Sequence, residues 1–211
     1  MNDLVYFKQK HPRACSLVIL RMVLNKHGIS VTEEDLVEKV EKNYGKHFEN
    51  IWNPTIAKLA REYGLETTMY ALWPLFKPSS LDKALKEYKD TPTTFCVAKY
   101  EHKKDQDILP EPLPLAYKEM FKAIELGCHA VYGRLTERRI KTFLRQKKLI
   151  QTSIKLKVLY PHRKGFHSIL IYAINKDSIQ YHDPYYGPAL EINIATLLKA
   201  TGNTGAAILY G

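Results

Sequence analysis

Apolar residues near the start of the chain recur at the spacing of a helix. Residues 15–27, CSLVILRMVLNKH, carry leucine, valine and methionine on one broad face, and Gly28 suits the left-handed residue that ends a helix. We therefore predict a mostly buried helix in this segment. Its first turn contains a cysteine, Cys15.

Signals for helix starts continue through the first half of the chain. Thr32 and Asp35 have the spacing of a capping box, which predicts a helix through about Lys42. Residues 53–54, Asn-Pro, form a cap followed by a first-turn proline, and Gly64 ends that helix. Three more helices are predicted at residues 79–88, 115–126 and 136–146.

The second half of the chain has the pattern of strands. Short runs rich in β-branched and aromatic residues are divided by turns. These runs predict strands at 149–159, 167–174, 178–182, 189–193 and 206–210, after an earlier strand at 93–98 and a proline-rich loop at 101–114, with a short helix around 195–200. Helices come first and a mainly antiparallel sheet follows, which is an α+β fold class.

Composition restricts the class of protein. With 45% hydrophobic and 26% charged residues, the chain has the composition of a globular protein and not of a disordered one. Its apolar runs are far shorter than the ~20 residues of a membrane span. The N-terminus carries charge where a secretory signal has an apolar core. We expect a soluble protein without a membrane span.

The basic balance raises the question of nucleic-acid binding. The formal net charge is +10 and the sequence pI is about 9.3, which permits contact with an anionic partner. The lysines are spread widely, however, and the densest basic run, residues 138–148, alternates with apolar residues as on the solvated face of a helix. We therefore expect no nucleic-acid partner.

The three cysteines, Cys15, Cys96 and Cys128, lie far apart and form no CxxC pair. Neither a zinc site nor a disulfide framework is indicated, and reduced thiols in the cytoplasm are expected. A thiol acts as a nucleophile in its anionic form, which a helix start favours. Only Cys15 is predicted to have that position. The structural alternative for it is a small buried apolar side chain.

Gln9 lies six residues before Cys15. A carboxamide there can turn back over the helix start. Together with the backbone N–H of Cys15, it would donate to the oxyanion that forms when a thiolate attacks a carbonyl group. Gln9 is therefore the candidate oxyanion donor.

A predicted hairpin supplies the candidate base. In residues 167–187, HSILIYAINKDSIQYHDPYYG, His167 opens one strand and Asp183 ends the next after a turn at 175–177. The hairpin brings the two strand ends side by side. The Asp183 carboxylate can then fix the tautomer and the orientation of the His167 ring.

A metal site is the alternative use of these histidines. It would combine His162, His167, His182 and Asp183. His182 and Asp183 are adjacent on a strand, so they point to opposite faces. We therefore expect no metal ion and no other cofactor.

The spacing of these residues resembles that of the C39-like cysteine peptidases, which belong to the papain-like superfamily. The resemblance covers roughly residues 4–43 and 136–190 and is strongest in the His-Asp hairpin. It implies a papain-like fold, in which N-terminal helices with the cysteine on a buried helix pack against a sheet that carries the histidine and the aspartate. It also implies a single domain, residues 1–211, with an insertion at about 93–135.

By position, the resemblance implies that Cys15 is the nucleophile, His167 the base and then the acid, Asp183 the orienting group and Gln9 the oxyanion donor. The implied reaction is cleavage of a peptide or amide bond through an acyl-enzyme. The family usually has glycine after the cysteine, whereas this chain has Ser16. An acyl or aminoacyl transferase with the same triad and a non-catalytic binding module on the same fold are alternatives.

Overall fold

The computed structural model describes residues 4–44, 51–72, 113–202 and 206–211. Seven helices lie in this part of the chain: α1 Cys15–Lys26, α2 Glu33–Tyr44, α3 Asn53–Glu62, α4 Leu113–Glu125, α5 Glu137–Arg145, α6 Leu156–Leu159 and α7 Ile194–Thr201. The helix predicted at 79–88, the strand predicted at 93–98 and the predicted loop up to residue 112 lie outside the described residues.

Most of the predicted helix signals are confirmed where the structure describes them, but the predicted cap at Asn53 is wrong: α3 begins at Asn53 itself, and Trp52 precedes it without a side-chain cap. Gly28, just after α1, has a φ of +77°, as expected of the residue that ends a helix. At the start of α2 the Asp35 N–H donates to Thr32 Oγ1 at 3.0 Å, and the Thr32 N–H donates to Asp35 Oδ2 at 2.9 Å. This reciprocal pair is a capping box. The Thr136 side chain caps α5.

The described strands form one seven-stranded sheet. They are β1 Thr67–Ala71, β2 His129–Tyr132, β3 Leu149–Lys155, β4 Phe166–Asn175, β5 Ser178–Asp183, β6 Gly187–Asn193 and β7 Ala207–Tyr210. Their order across the sheet is β2-β1-β7-β3-β4-β5-β6. Strands β1 and β2 pair in parallel and the other described pairs are antiparallel. The α+β class with a mainly antiparallel sheet is confirmed.

The interior strand β4 is buried on both faces, because hydrophobic clusters lie on each side of the sheet. Leu170 and Tyr172 belong to the cluster that contains α1, α2, α3 and α4. Ile169 and Ile171 belong to the second cluster, with α5 and α7. Burial of each such aliphatic side chain contributes about 1.5–3 kcal/mol relative to exposure. Strand β4 is therefore a rigid base for any group that it carries.

Two features of the sheet differ from the sequence prediction. The strand predicted at 149–159 ends at Lys155, and the chain continues as the short helix α6. There the Leu156 N–H donates to the Gly165 carbonyl at 3.0 Å, which closes the loop before β4. Strands β1 and β2 were not predicted, because both are short and their pairing partners lie far away in sequence.

Across the described ranges, no helix combines the length and apolar character needed to cross a membrane.

Candidate active site

Helix α1 presents Cys15 at its first residue. The residues that follow, from Ser16 to Leu20, are buried, and the helix packs against β4. Cys15 itself is partly exposed. The residue before it, Ala14, makes no side-chain cap, so the helix start keeps its free N–H groups for an anion.

His167 lies between Cys15 and Asp183. Its Nε2 atom is 2.7 Å from Asp183 Oδ1, and hydrogen bonding to Cys15 together with the charge of the sulfur acts to raise the pKa of the same ring. Because Nε2 is engaged by the carboxylate, Nδ1 is the nitrogen left for the sulfur. The structure thus pairs His167 with Asp183 directly, and Cys15 acts on the same imidazole electrostatically.

Asp183 is fully buried and accepts several hydrogen bonds. The backbone N–H groups of Tyr185 and Tyr186 each donate to Oδ1 at 2.9 Å, and the Tyr160 hydroxyl donates to Oδ2 at 3.4 Å. A buried charge is tolerated only when it is compensated in this way. The turn after β5 therefore holds the carboxylate in one orientation towards His167.

The electrostatics of the sulfur and the imidazole favour charge separation. Burial acts to raise the pKa of the Cys15 thiol, but the hydrogen bond and charge of His167, with hydrogen bonds from Ser168, bring that pKa below its ordinary value. Burial acts to lower the pKa of His167, but Asp183 and Cys15 raise it to about 9. Both shifts therefore act in the same direction, towards a thiolate and an imidazolium.

Aromatic rings hold the His167 side of the site. Tyr186 meets the His167 ring edge to face, with centroids 6.2 Å apart, and stacks on Tyr160 at 3.8 Å. Tyr185 packs on Tyr186 and is 55% exposed. Phe166, the residue before His167 on β4, is 63% exposed and points to the opposite face of the strand. The aromatic cluster beside the imidazole is therefore formed by the three tyrosines, of which Tyr185 is exposed.

Gln9 is tied to the same corner of the molecule through its backbone. Its N–H donates to the Pro184 carbonyl at 2.8 Å, directly after Asp183. Its side-chain Nε2 donates to the His11 carbonyl at 2.8 Å. An amide nitrogen carries two hydrogens, so a second donor remains for another acceptor.

Two residues that position this segment were missed by the sequence analysis. Glu33, the first residue of α2 and 1% exposed, accepts the N–H of Lys10 at 3.1 Å and that of His11 at 2.7 Å. The Tyr6 hydroxyl donates to the carbonyls of Asp183 and Pro184, each at 3.2 Å. No local motif marks a side chain whose partners are backbone groups distant in sequence.

A cavity of about 380 Å³ lies between residues 10–12 and α2. Its wall on the helix side contains Glu33, Glu34, Val37, Glu38 and Glu41. The cavity therefore borders the loop that follows Gln9 and presents an acidic face there.

The remaining cysteines and histidines have other surroundings. Cys128 is buried and its pKa is raised, chiefly by that burial, whereas Cys96 lies outside the described residues. His182 packs between Tyr6 and Tyr172. Within the part of the chain that the structure describes, no group of three or more histidine, cysteine or acidic side chains is arranged to hold a metal ion.

Comparison with known proteins relates the chain to others through its fold. No family model matches the sequence, and no curated protein matches it. A solved structure from Bacillus anthracis, described as a "putative C39-like peptidase", matches over 99% of this chain and 94% of that chain, with a TM-score of 0.51 and 11% sequence identity. At this identity the likeness concerns the fold alone. The chain thus has a fold similar to that of the C39-like protein.

Proposed function

We propose that this chain is a thiol-dependent hydrolase that cleaves a peptide or amide bond through an acyl-enzyme. The proposal rests on one observation: the His167 ring is hydrogen-bonded to Asp183 at 2.7 Å, and the same ring interacts with Cys15, since Asp183 and Cys15 together raise its pKa. A base between a nucleophile and an orienting carboxylate is the arrangement that nucleophilic catalysis requires.

In the proposed reaction the Cys15 thiolate attacks the substrate carbonyl carbon, and the carbonyl oxygen becomes an oxyanion. The backbone N–H of Cys15 and the Gln9 amide donate to this oxygen, and one such donor is worth about 2.7–4 kcal/mol. For Gln9 this requires its amide to turn towards the oxyanion. Protonated His167 gives its proton to the leaving nitrogen as the carbon–nitrogen bond breaks.

The thioester that remains on Cys15 is then hydrolysed. Neutral His167 takes a proton from water, the resulting hydroxide attacks the thioester carbon, and the sulfur leaves as thiolate. The products are a carboxylic acid and an amine, and the imidazolium–thiolate pair is restored. Because the chemistry needs a reduced thiol, we assign the protein to a reducing compartment such as the cytoplasm.

The test is selective alkylation of Cys15. The folded protein is treated at pH 7 with substoichiometric iodoacetamide, and the labelled cysteine is identified by peptide mass spectrometry. The lowered thiol pKa predicts that Cys15 is labelled much faster than buried Cys128. A binding module with an inert thiol predicts slow labelling of both, which would contradict the proposal.

A second measurement asks whether Cys15 carries an acyl group. p-Nitrophenyl acetate is the probe, and the burst of nitrophenolate counts the acylated sites. We expect one acetyl group on Cys15 and none in Cys15→Ser at that position. Added glycinamide separates hydrolysis from transfer, because a transferase would form N-acetylglycinamide in preference to acetate.

A further inference from the structure

Two buried serine hydroxyls meet directly beneath the candidate site. Ser16 Oγ and Ser168 Oγ are 2.8 Å apart, and the two residues are 5% and 3% exposed. Ser16 follows Cys15 on α1, and Ser168 follows His167 on β4. Although 152 positions apart in sequence, the pair therefore joins the two elements at the point where each carries a reacting group.

The pair leaves one hydroxyl hydrogen for another acceptor. Each hydroxyl has one O–H donor, and only one of the two hydrogens can lie between the oxygens. The sulfur of Cys15 is the acceptor beside the pair, since hydrogen bonding from the backbone and the side chain of Ser168 acts to lower the pKa of that thiol. The hydrogen between the serines therefore belongs to Ser16 when the Ser168 hydrogen points at the sulfur.

We propose that Ser16 and Ser168 are positioning residues that hold Cys15 as a thiolate: the Ser16 hydroxyl donates to Ser168, and the Ser168 hydroxyl donates to the sulfur. This inference rests on the proposed role of Cys15 as nucleophile. No bond is made or broken in the relay. Its function is to orient the Ser168 O–H, since a hydroxyl that already accepts a bond from Ser16 is restricted in rotation.

The relay also accounts for the serine that follows the nucleophile. The Ser16 side chain turns into the interface between α1 and β4, where it is buried, so it lies away from the partly exposed side of the sulfur. The hydroxyl therefore does not restrict the approach of a substrate. A serine at this position instead adds a contact that glycine, which has no side chain, cannot make.

The experiment measures the apparent pKa of Cys15 from the pH dependence of its iodoacetamide alkylation rate. Ser168→Ala removes the hydroxyl and keeps the backbone N–H, and we expect the midpoint to rise by about one pH unit, with roughly 10-fold slower alkylation at a pH below both midpoints. Ser16→Ala acts through Ser168, so its shift should be smaller. The double variant should match Ser168→Ala, because the Ser16 contribution passes through the Ser168 hydroxyl.

Two controls make the result specific to the relay. Ser178→Ala removes a hydroxyl from β5 that bonds the Asn175 carbonyl at 2.9 Å, and it should leave the midpoint unchanged. Ser168→Thr keeps a hydroxyl donor, so the midpoint of its alkylation profile should lie close to that of the wild type. Thermal unfolding of every variant separates a change in acidity from a loss of folding. If Ser168→Ala does not fold, Ser16→Gly is compared with Ser168→Thr. The midpoint should rise in Ser16→Gly and stay near the wild-type value in Ser168→Thr.

The outcomes distinguish this inference from the proposed function. A wild-type midpoint near the ordinary thiol value of about 8.5 contradicts the nucleophile assignment itself. A low wild-type midpoint that Ser168→Ala leaves unchanged, or shifts no more than Ser178→Ala does, overturns the relay and leaves the hydrolase proposal intact.

Discussion

The two sides of the candidate site are held in different ways. His167 and Asp183 lie on the adjacent strands β4 and β5, whose backbone ladder fixes their separation. Gln9 lies in the N-terminal segment, residues 4–14, which contains neither helix nor strand. That segment is held by the Glu33 carboxylate, by the Tyr6 hydroxyl and by one backbone hydrogen bond from Gln9 to Pro184. The candidate base therefore lies in a sheet, whereas the candidate amide donor lies in a segment held by a few separate hydrogen bonds.

Because of this difference, substitutions on the two sides of the site should affect different steps of the proposed reaction. A change on the hairpin alters the acidity of the sulfur, because the imidazole interacts with it directly. In the proposed mechanism, a change in the contacts of the N-terminal segment should alter the stabilisation of the oxyanion and leave the acidity of Cys15 unchanged. The two kinds of change can be separated, because alkylation reports on the thiolate alone and acylation reports on both.

The largest effect is expected on the hairpin side. His167→Ala removes the proton acceptor and the positive charge beside the sulfur, so acylation by p-nitrophenyl acetate at pH 7 should fall by about 10²–10⁴-fold. Alkylation by iodoacetamide should slow as well. The matched control is His162→Ala, at an exposed position. A loss of less than threefold in His167→Ala would show that the imidazole is not the base.

An intermediate effect is expected on the N-terminal side. Glu33→Gln replaces one acceptor oxygen by an NH₂ group that faces backbone donors at Lys10 and His11. The Gln9 loop should then shift, and acylation should slow by roughly 10–30-fold, a part of the 10²–10³ assigned to one oxyanion donor. Alkylation of Cys15 should remain unchanged.

The control for that variant is Glu34→Gln, whose exposed carboxylate forms an ion pair with Lys10 at 3.5 Å. Exposed pairs of this kind contribute little. Equal losses of acylation and alkylation in Glu33→Gln would mean that the two sides of the site are not independent.

The interaction between Cys15 and His167 should be visible in the pH dependence of the free energy of unfolding. The His167 pKa is raised to about 9, so its contribution is fully present below pH 6.5 and is lost as the pH rises through about 9. The Cys15 pKa is lowered, so its contribution has the opposite sign. Cys15→Ser also removes one cause of the raised His167 pKa. The variant should therefore lose stability more steeply than the wild type above pH 6.5, by up to about 1.4 kcal/mol per pH unit, over a window that ends below pH 9.

Urea unfolding at pH 6.5, 7.5 and 8.5 measures this slope. Cys128→Ser serves as the control, because Cys128 is buried and its pKa is raised, so its replacement should keep the wild-type profile from pH 6.5 to 7.5. Parallel profiles for Cys15→Ser and the wild type would argue against an ion pair.

The smallest effect is expected for the Tyr6 hydroxyl, which links the N-terminal segment to the turn after β5. Tyr6→Phe removes a hydroxyl that bonds the carbonyls of Asp183 and Pro184, and should lower the free energy of unfolding by about 1 kcal/mol. Tyr185→Phe, at an exposed ring, should change it by less than about 0.5 kcal/mol. An equal change in the free energy of unfolding of both variants would show that the Tyr6 hydrogen bonds do not stabilise the N-terminal segment.

Local signals made much of this fold predictable from the sequence. The capping box at Thr32 and the left-handed Gly28 act within one turn of chain, and the hairpin that pairs β4 with β5 follows from alternating residues around a short turn. By contrast, Glu33 and Ser168 gain their roles from partners more than twenty positions away. Strand β1 likewise depends on its pairing with β7. Such contacts leave no trace in a local pattern.

The candidate triad is assembled from opposite ends of the sequence, and this has a consequence for the newly made protein. Until α1 has docked on β4, Cys15 has neither imidazole nor serine beside it and reacts as an ordinary thiol. A half-synthesised or misfolded chain thus has no activated sulfur with which to damage itself or its neighbours. In the proposed enzyme, the Cys15 thiol is therefore activated only after the chain has folded.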